Sequence, residues 1–138
     1  MKAILVILLS FLATGWGFAE EALITELGSY SYTQPAVTVA VSDRGGSKVA
    51  VKMSYNEPDF KGSVGTGKDD PMKVVPGKWA LLFVPPYELW IHDGAGRVRL
   101  MQRTLQPRGF KSSSSDVVPG LLKRAPEKLR KQMEFVNK

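Results

Sequence analysis

The stretch Val37-Thr38-Val39-Ala40-Val41-Ser42-Asp43-Arg44-Gly45-Gly46-Ser47-Lys48-Val49-Ala50-Val51-Lys52-Met53 decides the fold. Val37, Val39 and Val41 alternate with small or polar residues, and Val49, Val51 and Met53 do so again after Arg44-Gly45-Gly46. Alternation at period two with β-branched side chains marks strands with one buried face. The glycines take positive φ without steric cost, so the two strands read as a hairpin. A three-residue loop at Arg44–Gly46 sets Val41 opposite Val49, Val39 opposite Val51 and Val37 opposite Met53, with all six on one face. Slipping one strand by a residue sets Val39 against Lys52 and mixes the faces, so the pattern selects the loop.

Working outward, Leu23–Leu27 is a short first strand, and Tyr30-Ser31-Tyr32 before Gln34-Pro35 carries little information alone. Tyr55–Lys73 reads as a long loop, rich in glycine and aspartate. In Lys78–Val84 both alternate sets, Trp79/Leu81/Phe83 and Ala80/Leu82/Val84, are apolar, which predicts a strand buried on both faces. Pro85-Pro86 ends it. Tyr87–His92 and Arg97–Arg103 form a second hairpin around Asp93-Gly94-Ala95-Gly96. A four-residue loop pairs His92 with Arg97, turns Leu89, Ile91, Val98 and Leu100 inward, and sets Trp90 opposite Arg99 on the other face.

Ser112–Ser115 reads as a flexible spacer, followed by a basic helix after Pro126. Glu127 favours its N-terminus, and Leu129, Met133 and Val136 share one side. The expected fold is therefore mainly β: a small antiparallel sandwich or curled sheet of about five or six strands with one C-terminal helix. The domain plan is a leader over 1–19, a β domain over 20–111, and a spacer plus helix over 112–138.

The leader follows from Met1-Lys2, the apolar run Ala3–Ala13 broken by Ser10, and small residues Gly17 and Ala19 before Glu20. These are the three parts of a secretory signal peptide, and the run is short of the ~20 apolar residues a membrane span needs. An exported protein, periplasmic or secreted, is expected. With no Cys and one His among 138 residues, disulfides, thiolate metal sites, cysteine nucleophiles and zinc sites needing two histidines are excluded. Apolar content of 43% and charged content of 23% fit a globular chain.

Charge is divided unevenly. Glu20–Gly96 carries 7 basic and 10 acidic residues, whereas Arg97–Lys138 carries 11 basic and 3 acidic. Such asymmetry points to an anionic partner, here an acidic protein, a polysaccharide or a lipid surface; location disfavours nucleic acid. The leading expectation is a non-catalytic binding module that docks this partner through a basic hairpin and helix. Its binding residues are Trp90, His92, Arg97, Arg99 and Arg103 with Lys123, Arg124, Lys128 and Lys131. Arg and Trp together make good anchors, and an indole under a guanidinium is a favourable pair. In the competing arrangement the C-terminal helix covers Trp90, with Leu129, Met133 and Val136 packed on Trp90 and Met101.

Other chemistries have less support. Gly62–Asp69 approaches the phosphate-loop pattern, but Asp69 replaces the metal-binding hydroxyl and Asp70-Pro71 replaces the helix. Asp59, Asp69 and Asp70, with Glu57, are the calcium candidates, although their spacing matches no calcium-loop signature. No cofactor is implied. His92 and Asp93 are strand neighbours facing opposite ways, so Asp93 cannot brace the imidazole of a triad. The alternatives are a small extracytoplasmic hydrolase using the loop carboxylates and a peripheral membrane-surface protein using the helical tail.

Overall fold

Val37–Met53 lies within β3 (Val37–Gly45) and β4 (Lys48–Glu57) of an antiparallel sandwich. The computed structural model describes residues 21–66, 71–85 and 87–136. The predicted leader lies outside the described residues. The remaining strands are β1 (Ala22–Ile24), β2 (Tyr30–Gln34), β5 (Phe60–Gly65), β6 (Met72–Lys73), β7 (Ala80–Val84), β8 (Glu88–His92), β9 (Val98–Leu105) and β10 (Arg108–Ser114). Two helical segments follow, α1 (Leu121–Arg124) and α2 (Glu127–Val136). One sheet runs β1-β7-β8-β9-β10; the other runs β2-β3-β4-β5, with β6 paired to the start of β4. The expected class holds, with more strands than expected. Among the described residues no helix is long and apolar enough to cross a membrane.

The first hairpin keeps its predicted face but not its predicted pairs. Val41 lies opposite Val51, Val39 opposite Met53 and Val37 opposite Tyr55. The turn is tighter than expected because Gly45 pairs with Lys48, and a bulge between Asp43 and Gly45 absorbs the extra residue. Gly45 N donates to Asp43 Oδ1 at 2.9 Å, while Gly45, Gly46 and Ser47 all take positive φ. The net shift is two residues, which preserves side-chain parity, so the valines still share the core.

The second hairpin slips by one residue, and that does change faces. His92 lies opposite Val98, Ile91 opposite Arg99, Trp90 opposite Leu100 and Leu89 opposite Met101. The cause is Asp93. Its N–H donates to Arg97 O at 3.0 Å, and its Oδ1 accepts from Ala95 N at 2.7 Å and Arg97 N at 3.1 Å. The carboxylate thus draws Arg97 into a five-residue turn. Gly94 has φ +86, and a Cβ there would lie 2.9 Å from Lys78 backbone, so this corner excludes other residues.

Two segments read as loop or spacer are strand. β4 continues to Glu57 and turns into β5, which pairs Phe60 with Glu57 through Gly65 with Lys52. Glycine and serine dilute the alternation of Phe60, Gly62 and Val64, which hides the strand. Ser112–Ser114 complete β10 against Met101, Leu100 and Arg99. Ser115 extends the ladder: its N–H donates to Val98 O at 2.8 Å and its Oγ accepts from Val98 N at 2.9 Å.

Two apolar layers result. Between the sheets lie Val37, Val39, Val41, Val49, Val51, Met53, Tyr32 and Tyr55 against Trp79, Leu81, Phe83, Leu89, Ile91 and Met101. On the outer face of the second sheet, Ala80, Leu82, Trp90, Val98 and Leu100 are covered by Leu121, Ala125 and Leu129, with Met133 beside them. β7 is buried on both faces, as its double apolar pattern predicts. Pro126 O accepts from the N–H groups of Leu129 and Arg130 at 3.0 Å, which starts α2 where the sequence places it.

Candidate functional site

The Asp93 turn presents Arg97 at the mouth of an open recess of ≈ 200 Å³. Each wall arrives from a different part of the chain. β6 brings Lys73, the turn and β9 bring Asp93, Arg97 and Arg99, and the end of β10 brings Ser114 and Asp116, with Met72 and Val98 as the apolar part. Val75 N donates to Asp93 O at 2.8 Å and Val74 N to Ser47 O at 2.9 Å, which ties the β6 segment to both hairpin turns.

Among the described residues the recess is lined by three cations and two carboxylates. Of its two carboxylates, Asp93 is 7% exposed and engaged with turn amides. Asp116 Oδ2 stands 3.6 Å from Arg97 Nε, and both side chains are more than half exposed. Such a pair is worth at most about 1 kcal/mol and exchanges readily for another anion. Among the described residues Lys73 and Arg99 have no ion-pair partner. Three cations therefore line one opening, and among the described residues Asp116 is its displaceable counter-charge.

The other predicted binding residues separate into two groups. Lys123, Arg124, Lys128 and Lys131 are exposed on α1 and α2; Lys131 Nζ lies 3.2 Å from Glu127 Oε1. Trp90, His92 and Arg103 are buried. Trp90 is 3% exposed beneath the helical cover, and its Nε1 donates to Glu88 Oε1 at 2.8 Å. The covered arrangement is the one present: Trp90 and Leu129 are buried in one apolar layer with Met133 packed against it, while the Val136 side chain lies outside the described residues. Met101 faces the inter-sheet core instead, because the register slip puts it beside Leu89. Arg99 accordingly lies beside Ile91, and the expected Trp90–Arg99 pair does not form.

His92 is 2% exposed, and its Nε2 has no hydrogen-bond partner. Burial holds its pKa below the ordinary 6.5, and the neighbouring Asp93 carboxylate only partly opposes this. A neutral, enclosed imidazole supplies no surface charge.

Arg103 sits at the opposite end of β9 in a closed box. Its Nη1 donates to Glu57 Oε2 at 2.6 Å, and its guanidinium lies 4.4 Å from the Phe60 ring centre and 4.8 Å from that of Tyr55. Phe110 packs on both rings. Burial raises the Tyr55 pKa, against the opposing pull of Arg103. Asp59 Oδ2 accepts from Arg108 Nη1 at 2.7 Å, and this hydrogen bond holds the Asp59 carboxyl below its ordinary range. Glu57 and Asp59 each hold an arginine, whereas Asp69 and Asp70 lie outside the described residues. Among the described residues no three His, Cys, Asp or Glu side chains gather as metal ligands.

No family model matches the chain, and the searches of curated proteins and of solved structures return no match. Roles therefore rest on geometry. Lys73, Ser114 and Asp116 were invisible as site residues in the sequence. They converge through β6–β4 and β10–β9 pairing, and no local motif announces either.

Proposed function

We propose that the chain is a small exported binding module, without catalysis of its own, that docks an anionic partner. The observation that carries this reading is the convergence of Lys73, Arg97 and Arg99 on one recess whose exposed counter-charge among the described residues is Asp116. A carboxylate, sulfate or phosphate group of the partner displaces Asp116 and gains the Arg97 fork, a geometry suited to planar or tetrahedral oxyanions. The exposed cations of α1 and α2 add long-range attraction that raises the encounter rate. Trp90, His92 and Arg103 serve the interior, so docking is charge-led at the recess. Export is inferred from the Met1–Ala19 pattern.

Polyphosphate is a suitable probe because it presents tetrahedral oxyanions without an apolar phase. Binding is expected to weaken steeply with added salt, since exposed charges more than about 8 Å apart are largely screened at physiological ionic strength. Reversing Arg97 and Arg99 to Glu is expected to lower affinity at least tenfold, about 1.4 kcal/mol. A salt-independent isotherm, or an unchanged affinity in that double variant, overturns the reading.

A further inference from the structure

We infer that the partner is an anionic phospholipid surface and that Val117 and Leu122 enter it as a rigid apolar knuckle; this rests on the anion-docking reading above. The large apolar side chains exposed among the described residues are Leu105 at 51%, Val117 at 79% and Leu122 at 37%. Two of the three flank one closed turn. Leu121 N donates to Val118 O at 3.2 Å, and Gly120 takes φ 89 within the turn. Ser114 O accepts from Val117 N at 3.0 Å and from Val118 N at 2.8 Å, which fixes the approach to the turn.

The turn is held from beneath. Leu121 is fully buried and Val118 packs on the same layer, under which Trp90 and Leu100 lie. A mobile loop would lose conformational freedom on insertion; this one is already ordered, so that cost is small. The apolar stripe of α2 is unavailable for the same role, since Leu129 is fully buried in the protein's own core. Membrane contact thus moves from the helix to the turn before it.

Charge complementarity selects the occupant. Lys123 and Arg124 adjoin Leu122, and from Val117 to Lys131 there are five cations and one acid, Glu127. Glu127 is already paired with Lys131. Asp116, a lining residue of the recess that stands 3.6 Å from Arg97 Nε, directly precedes Val117, so the rim of the recess leads into the knuckle. Two exposed apolar side chains beside Lys123 and Arg124, which have no ion-pair partner among the described residues, match a surface with negative headgroups above an apolar phase. A soluble polyanion offers only the first of these. With two residues inserted, attachment is shallow and reversible.

The test is co-sedimentation of the protein with phosphatidylcholine vesicles, with and without phosphatidylglycerol, beside the polyphosphate titration. The protein is expected to sediment only with the phosphatidylglycerol-containing vesicles. The charge-neutral pair Val117→Ser with Leu122→Gln, both surface changes, is expected to lower vesicle partition at least tenfold while leaving polyphosphate affinity and the melting temperature unchanged. Val117→Trp is expected to strengthen partition and to shift its indole emission to the blue on binding. Polyphosphate binding without vesicle binding overturns this inference and leaves the anion reading standing; binding to neither overturns both. Vesicle binding that the double Ser/Gln variant retains overturns the knuckle.

Discussion

Replacing Leu129 by Ala probes the joint between helix and sheet that settles the fate of Trp90. Leu129 is fully buried among Ala80, Leu82, Trp90, Val98, Leu100 and Leu121. Deleting a buried leucine side chain costs about 2–5 kcal/mol, according to how far the site collapses. α2 is a single docked element able to shift toward the sheet, so the lower half of that range, roughly 2–3 kcal/mol, applies. A ten-residue helix is marginal in isolation, which means that its order comes from this contact. Undocking therefore becomes about 30- to 150-fold more frequent, at 1.4 kcal/mol per factor of ten. Denaturant unfolding followed by tryptophan emission, with amide exchange along α2, reads both quantities. Exchange in α2 is expected to accelerate by that factor and Trp90 emission to shift red, while Lys128→Ala, on the exposed side, leaves both within error. A Leu129→Ala variant that loses less than about 0.5 kcal/mol, the ordinary range of a surface change, with unaltered exchange would refute the packing.

Glu57→Gln leaves the Arg103 guanidinium enclosed with its Nε already lacking a partner. The expected loss is about 2 kcal/mol, below the ~3–5 kcal/mol of fully buried pairs because the Glu57 side chain keeps 27% exposure; a urea midpoint shift measures it, and an apolar Arg103→Met partner change is expected to recover part of it. His92 makes stability fall in acid. Its folded pKa lies below 6.5, so the unfolded chain binds the proton first, and stability present above 6.5 is lost as pH falls toward the folded pKa. His92→Phe is expected to flatten that limb of the stability profile between neutral and mildly acid pH; an unchanged slope contradicts it.

Legibility in the sequence followed parity. The Val37–Met53 alternation and the doubly apolar Lys78–Val84 run each had one solution that buries their side chains, and both are strands facing the core. A two-residue error in the first hairpin was harmless because parity survived it. In β9 both parities are mixed, with Val98 and Leu100 on one face and Arg99, Met101 and Arg103 on the other. Side-chain pattern could not choose its register, and the hydrogen bonds of Asp93 Oδ1 did. That single slip separated Trp90 from Arg99 and turned Arg103 toward Glu57. β5 escaped notice because Gly62 and Gly65 stand where a strand ordinarily shows bulk. Gly65 is forced, because a Cβ there would run into the Val51 carbonyl, and one on Gly62 would press on the Phe110 ring at 2.9 Å. The recess depends on pairings between segments far apart in sequence, so Lys73 carried no local signal.

The proposed docking requires Lys73, Arg97 and Arg99 to receive one anionic group together. Backbone amide shifts followed by NMR during a polyphosphate titration test it most directly. Perturbations are expected to concentrate at Lys73, Arg97–Arg99 and Ser114–Asp116, to saturate with one isotherm, and to disappear in Arg97→Glu with Arg99→Glu. Shifts centred on the Arg103 box or spread evenly over every exposed lysine would contradict it.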